Sequence, residues 1–161
     1  MNRKLVLFGA GKIGRSFIGQ LFSRGGYEVV FIDVNEQLIG ELNRRGEYHV
    51  IIKGTEDQII PVKRVRGVFA ADKEAVVREV ASADLVATAV GQAGLTGIIP
   101  LLAAGFLQRY TEDPSRVLDI IIAENLRNAA AFFREELRKR LPADYPMDDL
   151  VGLVETSIGK M

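Results

Sequence analysis

Cysteine is absent from the 161 residues, and histidine occurs once, at His49. Disulfides, thiolate nucleophiles, iron–sulfur clusters and Cys/His zinc sites are thereby excluded within the chain, and zinc-dependent alcohol dehydrogenation with them. No metal site is expected. Neither sign of charge is in excess, since Lys plus Arg and Asp plus Glu number 21 each. Without a long basic run there is no electrostatic footprint for nucleic acid, so a small molecule is the expected partner. Nor is there a transmembrane helix. The sequence passes from Asn2-Arg3-Lys4 into Leu5-Val6-Leu7-Phe8, an apolar run too short for a signal peptide and followed at once by a glycine turn. These absences place the chain in the cytoplasm, away from membranes.

What remains is 48% apolar and 26% charged, the balance of a soluble globular protein, and the length fits one α/β domain. Short β-branched runs alternate with segments of helical period, which predicts a doubly wound parallel sheet with helices on both faces. Strand one is Lys4 to Phe8, and the helix after it should turn Ile13, Phe17, Ile18, Leu21 and Phe22 inward before Gly25-Gly26 ends it. A strand over Glu28 to Ile32 and a helix over Glu36 to Arg45 come next, with Gly46 as a left-handed cap. Tyr48 to Lys53 and Gln58 to Lys63 read as a β-hairpin insertion decorating an edge.

Beyond a strand over Val65 to Phe69, Asp72 can cap a helix reaching Ala81. Leu85 to Val90 suits a strand buried on both faces, closed by Gly91. The next helix contains Pro100, tolerable only near a first turn or at a kink. Val117 to Ala123 predicts a strand, Leu126 to Leu141 a helix, and Val151 to Glu155 a last strand. The sequence then stops at Lys160-Met161 without a capping helix, as if cut.

Gly9-Ala10-Gly11-Lys12-Ile13-Gly14 stands between the first strand and its helix. There the first glycine allows a tight turn, the second lets backbone approach a pyrophosphate, and the third lets helix and strand pack closely. The helix start adds unpaired N–H groups and a positive dipole end, which favour phosphate. Asp33 closes strand two about twenty residues on, where a carboxylate can accept from the adenosine ribose. A tight turn alone would also use glycines; strand context, spacing and the acid together favour a Rossmann dinucleotide-binding domain. Asp33 would repel a 2′-phosphate and no arginine stands in Val34-Asn35, so NAD is expected rather than NADP. The side chains of Lys12 and Arg15 read as solvated.

Across the cleft, Val90 and Gly91 should flank the other half of the dinucleotide. Asn125 is a candidate for the nicotinamide ribose, or else an ordinary N-cap, and Glu124 is either functional or a surface acid near a helix start. His49 reads as structural. A hydroxyl-oxidising enzyme needs a group to take the proton, and no convincing base is present: the Tyr-x-x-x-Lys pairing of short-chain dehydrogenases does not occur. No catalytic residue is assigned, and the chain is expected to bind cofactor without completing the chemistry.

Phe8-Gly9-Ala10-Gly11-Lys12-Ile13-Gly14-Arg15-Ser16-Phe17-Ile18-Gly19 strongly resembles the opening of mannitol-1-phosphate 5-dehydrogenases. Phe31-Ile32-Asp33-Val34-Asn35, Asp84 to Gly91 and Ile122-Ala123-Glu124-Asn125 look like later landmarks of that family, so the resemblance spans nearly the whole chain. It implies a polyol-specific long-chain dehydrogenase/reductase, interconverting sugar alcohols or their phosphates with ketoses using NAD or NADP. The resemblance also implies a C-terminal helical domain, absent here, that carries the catalytic lysine and much of the polyol site; the fragment alone should be inactive. By resemblance Glu155 faces the substrate; a strand-end acid facing solvent is an equal reading. Gly159-Lys160 stands where many members carry Asp-Arg, which leaves the exact substrate open. Two other readings remain: a free-standing regulatory nucleotide-binding domain of the potassium-channel kind, and a uronate- or mannonate-type reductase of the same superfamily.

Overall fold

The computed structural model describes residues 2–158; Gly159-Lys160 and Met161 lie outside the described residues. Six parallel strands form one sheet in the order β5-β2-β1-β6-β7-β8. They are β1 (Lys4–Phe8), β2 (Glu28–Asp33), β5 (Val65–Phe69), β6 (Leu85–Thr88), β7 (Leu118–Ile122) and β8 (Val151–Glu155). The chain first winds outward through β2 and β5, then returns to lay β6 on the other side of β1. Leu5 therefore pairs with both Val29 and Leu85, and the strand order reverses at that central pair. In such sheets ligands lie at the reversal, beyond the carboxyl ends of the strands.

Alternation along β1 divides the core. Val6 and Phe8 pack into a cluster with residues of α3 (Lys73–Ala81), α4 (Gln92–Glu112) and α5 (Ala129–Arg138). Leu5 and Leu7 point to the other face, where Ile18, together with Ile39 and Leu42 of α2 (Glu36–Arg45), covers the sheet. Asn35 caps α2 by accepting from the Leu38 amide at 3.0 Å, and Gly46 ends it in the left-handed conformation with φ 64°. Asp72 caps α3 in the same way through Ala75.

The hairpin forms as expected, β3 (Glu47–Ile52) against β4 (Gln58–Lys63), but as a separate two-stranded sheet. It leans on the first crossover helix: the Tyr48 hydroxyl donates to the Arg15 carbonyl at 2.5 Å, and the Ser23 hydroxyl donates to the Lys63 carbonyl at 2.6 Å. Val62 of β4 is fully buried in the same cluster as Leu5 and Leu7.

Four expectations need correcting. The helix after β1 is π-helical over Gly14–Gly19 before α1 (Gln20–Arg24). Each wider turn takes up an extra residue and rotates the residues beyond it. Ile18 is buried as expected, but Phe17 and Leu21 are left 39% and 48% exposed. Second, β6 stops at Thr88, two residues early, and Ala89-Val90 already belong to the loop. Third, of the two places allowed for Pro100 the first turn is excluded, since it lies in the third turn of α4. Proline in a helix interior costs about 3 kcal/mol because it has no N–H and crowds the carbonyl four residues back. Fourth, α5 begins only at Ala129, because Asn128 adopts a left-handed φ of 54° that breaks any earlier helical turn. The structure adds one helical turn not foreseen, α6 (Met147–Leu150).

At the opposite, amino-terminal edge of the sheet, Arg109 of α4 is 5% exposed and faces only backbone. Its Nη1 donates to the carbonyls of Ala81 and Ala83, both at 2.8 Å, and its Nη2 to that of Val117 at 2.9 Å. One guanidinium thus joins the end of α3, the turn into β6 and the approach to β7. Burial lowers its pKa from the ordinary arginine range.

Candidate functional site

The three glycines of the first loop have three different surroundings. Gly9 has φ +101°, and a Cβ there would stand 2.3 Å from the Ala89 carbonyl oxygen. A Cβ on Gly14 would stand 2.2 Å from the carbonyl oxygen of Gly9. These two positions let the loop, the end of β6 and the start of the helix close on one another. Gly11 differs, since a Cβ there would meet nothing within 4 Å. Its backbone is bare toward open space, the surface a pyrophosphate needs if it is to reach backbone amides.

Beside this loop runs a cleft of about 1030 Å³, lined by Gly9, Gly11 and Asp33 on one side and by Val90, Gly94 and Gly97 on the other. Its walls are mostly apolar, with a few polar groups at fixed places, the make-up of a small-molecule site. The site residues read from sequence fall into three groups. Gly9, Gly11, Asp33 and Val90 line the cleft together. Ala10 and Gly14 are buried behind the loop as its support, Ile13 is half-buried, and Lys12 is exposed. Gly91, Asn125 and Glu155 lie off the cleft wall, all exposed, after β6, after β7 and at the end of β8.

Asp33 ties the loop down as well as facing the cleft. Its Oδ2 accepts from the Ala10 amide at 2.7 Å and its Oδ1 from the Asn35 amide at 2.8 Å. An ionised carboxylate has about four acceptor positions, so capacity remains for a pair of hydroxyls. The β2 end thus sets the height of the glycine loop through one side chain.

The residue that sequence reasoning undervalued is Glu124. It is no surface acid: only 7% is exposed, and its Oε1 and Oε2 accept from the consecutive amides of Val90 and Gly91 at 2.8 and 2.9 Å. Gly91 has φ +76°, which aims its N–H back at the carboxylate as the chain turns into α4. The carboxylate therefore sits against the two amides that lead into α4, where negative charge is favoured. A signal did exist in the sequence, an acid directly after a buried strand; its partner 34 residues away did not show there. Asn125 does not cap a helix, because α5 starts after Asn128. His49 is exposed on β3 opposite Pro61, far in topology from the cleft.

The titratable side chains on the cleft wall are Asp33 and Lys73, and neither comes from the β6–α4 segment that carries Ala89 and Val90. Among the described residues no group of His, Cys, Asp and Glu is placed to hold a metal ion, and no helix is long and apolar enough to cross a membrane.

Residues 3–160 match the model of the mannitol dehydrogenase Rossmann domain family. A mannitol-1-phosphate 5-dehydrogenase of Brevibacillus brevis is 43% identical over 136 residues, covering 84% of this chain and 35% of the relative. One from Enterococcus faecalis is 35% identical over 157 residues, covering 97% and 41%. The chain thus spans well under half the length of these relatives. Among solved structures, mannitol 2-dehydrogenase of Pseudomonas fluorescens, in ternary complex with NAD and D-mannitol, superposes with a TM-score of 0.76 at 12% identity, over 94% of this chain and 40% of that one. A UDP-glucose dehydrogenase from Pyrobaculum islandicum gives 0.63 at 16% identity, over all of this chain and 36% of that one. At such identities these structures speak for the fold.

Proposed function

The chain belongs to the mannitol dehydrogenase family, as its Rossmann domain, and from that premise we propose that it is the NAD-binding part of an oxidoreductase that interconverts mannitol 1-phosphate and fructose 6-phosphate. The observation that carries the cofactor reading is the bare backbone at Gly11 beside the carboxylate of Asp33, at the point where the strand order reverses. The residues fit the group. The Gly9–Gly14 loop would receive the pyrophosphate, Asp33 the adenosine ribose, and Val90, Gly91 and Asn125 would flank the nicotinamide half. Asp33 disfavours a 2′-phosphate by like charge. When bound, the nicotinamide accepts or returns a hydride.

This chain's own residues bind and orient. Among the described residues a proton acceptor for the polyol hydroxyl has no free candidate at the Val90 end of the cleft, where both Glu124 oxygens are engaged by backbone amides. The acceptor is therefore assigned, with most of the substrate contacts, to a further part of the enzyme. Glu155, exposed on the same sheet edge, is the candidate from this chain for a substrate contact. An apolar hollow of about 390 Å³ between Phe17, Leu21, Ile121 and Ile158 supports this reading over a free-standing regulatory domain, because an enzyme's further part would cover it. The uronate- or mannonate-reductase alternative differs in substrate alone.

The test is calorimetric titration of the chain with NADH and NADPH, repeated on Asp33→Ala. Because Asp33 also holds the Ala10 amide, the ratio of the two affinities is the readout. A preference for NADH that disappears in the variant is expected. Equal binding of the two nucleotides by the unaltered chain would refute the assignment of Asp33, and binding of neither would refute the cofactor reading.

A further inference from the structure

The cleft continues past Asp33 and Val34 into an arm between Ala70, Ala71 and Val77 on one side and the exposed face of α4 on the other. That face is built by Thr96, Gly97 and Pro100, all exposed and all on the cleft wall. Pro100 is the costliest residue a helix interior can hold, and this helix holds it where it meets the cleft. Local rules broken without a packing gain point to function.

The broken rule has a defined chemical result. In an α-helix the carbonyl of Thr96 would accept from the amide of residue 100, and Pro100 has no N–H to give. A helical carbonyl points along the axis at the residue four on, so the Thr96 oxygen emerges beside the Pro100 ring, on the face that borders the arm. Gly97 next to it has no side chain, and a Cβ there would meet nothing within 4 Å. The result is a backbone acceptor without its helical donor on a wall whose polar side chains are Asp33, Lys73 and Thr96 itself.

We propose that the Thr96 carbonyl is the purine-reading group of this domain, accepting a hydrogen bond from the exocyclic 6-amino group of an adenine lodged in the arm. The inference rests on the cofactor reading, which places the adenosine ribose at Asp33 and so directs the base toward α4. It makes the arm specific for a 6-amino purine. A 6-oxo purine would set its own oxygen against the carbonyl and lose the bond.

The test compares NAD with nicotinamide hypoxanthine dinucleotide, in which the 6-amino group is replaced by an oxo group, by titration of the 161-residue chain and of Pro100→Ala and Thr96→Ala. The unaltered chain is expected to bind NAD about tenfold more tightly than the analogue, the effect of one hydrogen bond made and one clash avoided. Pro100→Ala supplies the missing N–H, so the preference should shrink to within about twofold while the melting temperature rises, which separates recognition from folding. Equal binding of both dinucleotides by the unaltered chain overturns the inference while leaving the cofactor reading intact. A preference that survives Pro100→Ala but vanishes in Thr96→Ala overturns it too, by assigning the recognition to the hydroxyl. Failure of both nucleotides to bind refutes the cofactor reading and the adenine assignment together.

Discussion

Glu124, just beyond the end of β7, holds Gly91, just beyond the end of β6, by its backbone amide, and takes the Val90 amide with its other oxygen. Two strand ends are thereby locked at one height along the edge where the dinucleotide is proposed to lie. Replacing Glu124 by alanine removes a nearly buried carboxylate from two partly buried amides, and each lost charge-assisted bond is worth roughly 1.5–3 kcal/mol. Glu124→Ala is expected to destabilise by about 3 kcal/mol, and Glu124→Gln by about half as much, since the amide keeps one acceptor but turns an NH2 toward the other N–H. Denaturant unfolding measures both. Equal costs for the two variants would contradict the two-oxygen grip.

The glycines of the first loop should separate by assay. Alanine at Gly9 or Gly14 drives a Cβ to within 2.3 or 2.2 Å of a backbone oxygen, and neither oxygen can yield without moving a strand end or the loop. Both variants should unfold at markedly lower denaturant, a loss of several kcal/mol being typical of backbone clashes in a close-packed region. Gly11→Ala meets nothing. Its melting temperature should stay within about a degree or two of the parent while NADH affinity falls about tenfold or more, because the methyl group occupies the approach to the loop backbone.

Tyr48 reaches from the hairpin to the Arg15 carbonyl within the π-helical segment. Gly19 leaves room for it, since a Cβ there would stand 2.6 Å from the Tyr48 hydroxyl oxygen. Tyr48→Phe removes one hydrogen bond and should cost about 1 kcal/mol at neutral pH. Burial raises the Tyr48 pKa above the ordinary tyrosine value of 10.0. A group with a raised folded pKa contributes stability that is fully present below its unfolded pKa and is lost as pH climbs from there toward the folded value. Stability should thus decline above about pH 10, and Tyr48→Phe should flatten that alkaline limb in part, the remainder belonging to Tyr145, whose pKa burial also raises.

On the acid side the sensitive group is Glu79. Burial alone would raise its pKa, but hydrogen bonds from Arg66 and Lys4 outweigh it and hold the carboxyl below the usual value of 4.5. A lowered folded pKa means stability present above the unfolded pKa and lost as pH falls through the folded one. Unfolding measured from about pH 6 down to about pH 3 should therefore show a loss that Glu79→Gln removes in part, the remainder belonging to Glu41, Asp113 and Glu136, whose carboxyls hydrogen bonds also hold low. Because the Arg66 side chain is 37% exposed, screening keeps the contribution to about 1 kcal/mol. An unchanged acid limb in the variant would assign the loss to other carboxylates.

Much of this molecule is legible in one dimension because the relevant interactions are local. Asn35, Gly46 and Asp72 act within a turn of their own helices, so helix ends were readable from residue type. The alternation of Leu5 and Leu7 with Val6 and Phe8, and the spacing of Gly9, Gly11 and Gly14, are equally short-range signals, and they sufficed for the parallel sheet and the tight glycine loop. Asp33 was readable because its position relative to that loop is set by one β–α–β unit.

The rest depended on atoms far apart in sequence. A helical period of 3.6 after β1 turns Phe17 and Leu21 inward, whereas the π-helical turn at Gly14–Gly19 leaves both exposed. That turn is stabilised by Tyr48, 33 residues away from Arg15, and no local pattern could announce it. Propensity puts Pro100 near a first turn or at a kink, yet packing of Ile98, Ile99 and Leu102 carries the helix through its third turn. Asn125 looked like a cap until a left-handed Asn128 moved the helix onward. Residue order alone determined the fold class, the glycine loop and the acid that accompanies it, since these rest on neighbours along the chain. Only the tertiary structure decided what Glu124 and Arg109 face, because their partners lie on separate crossovers that converge on the same sheet.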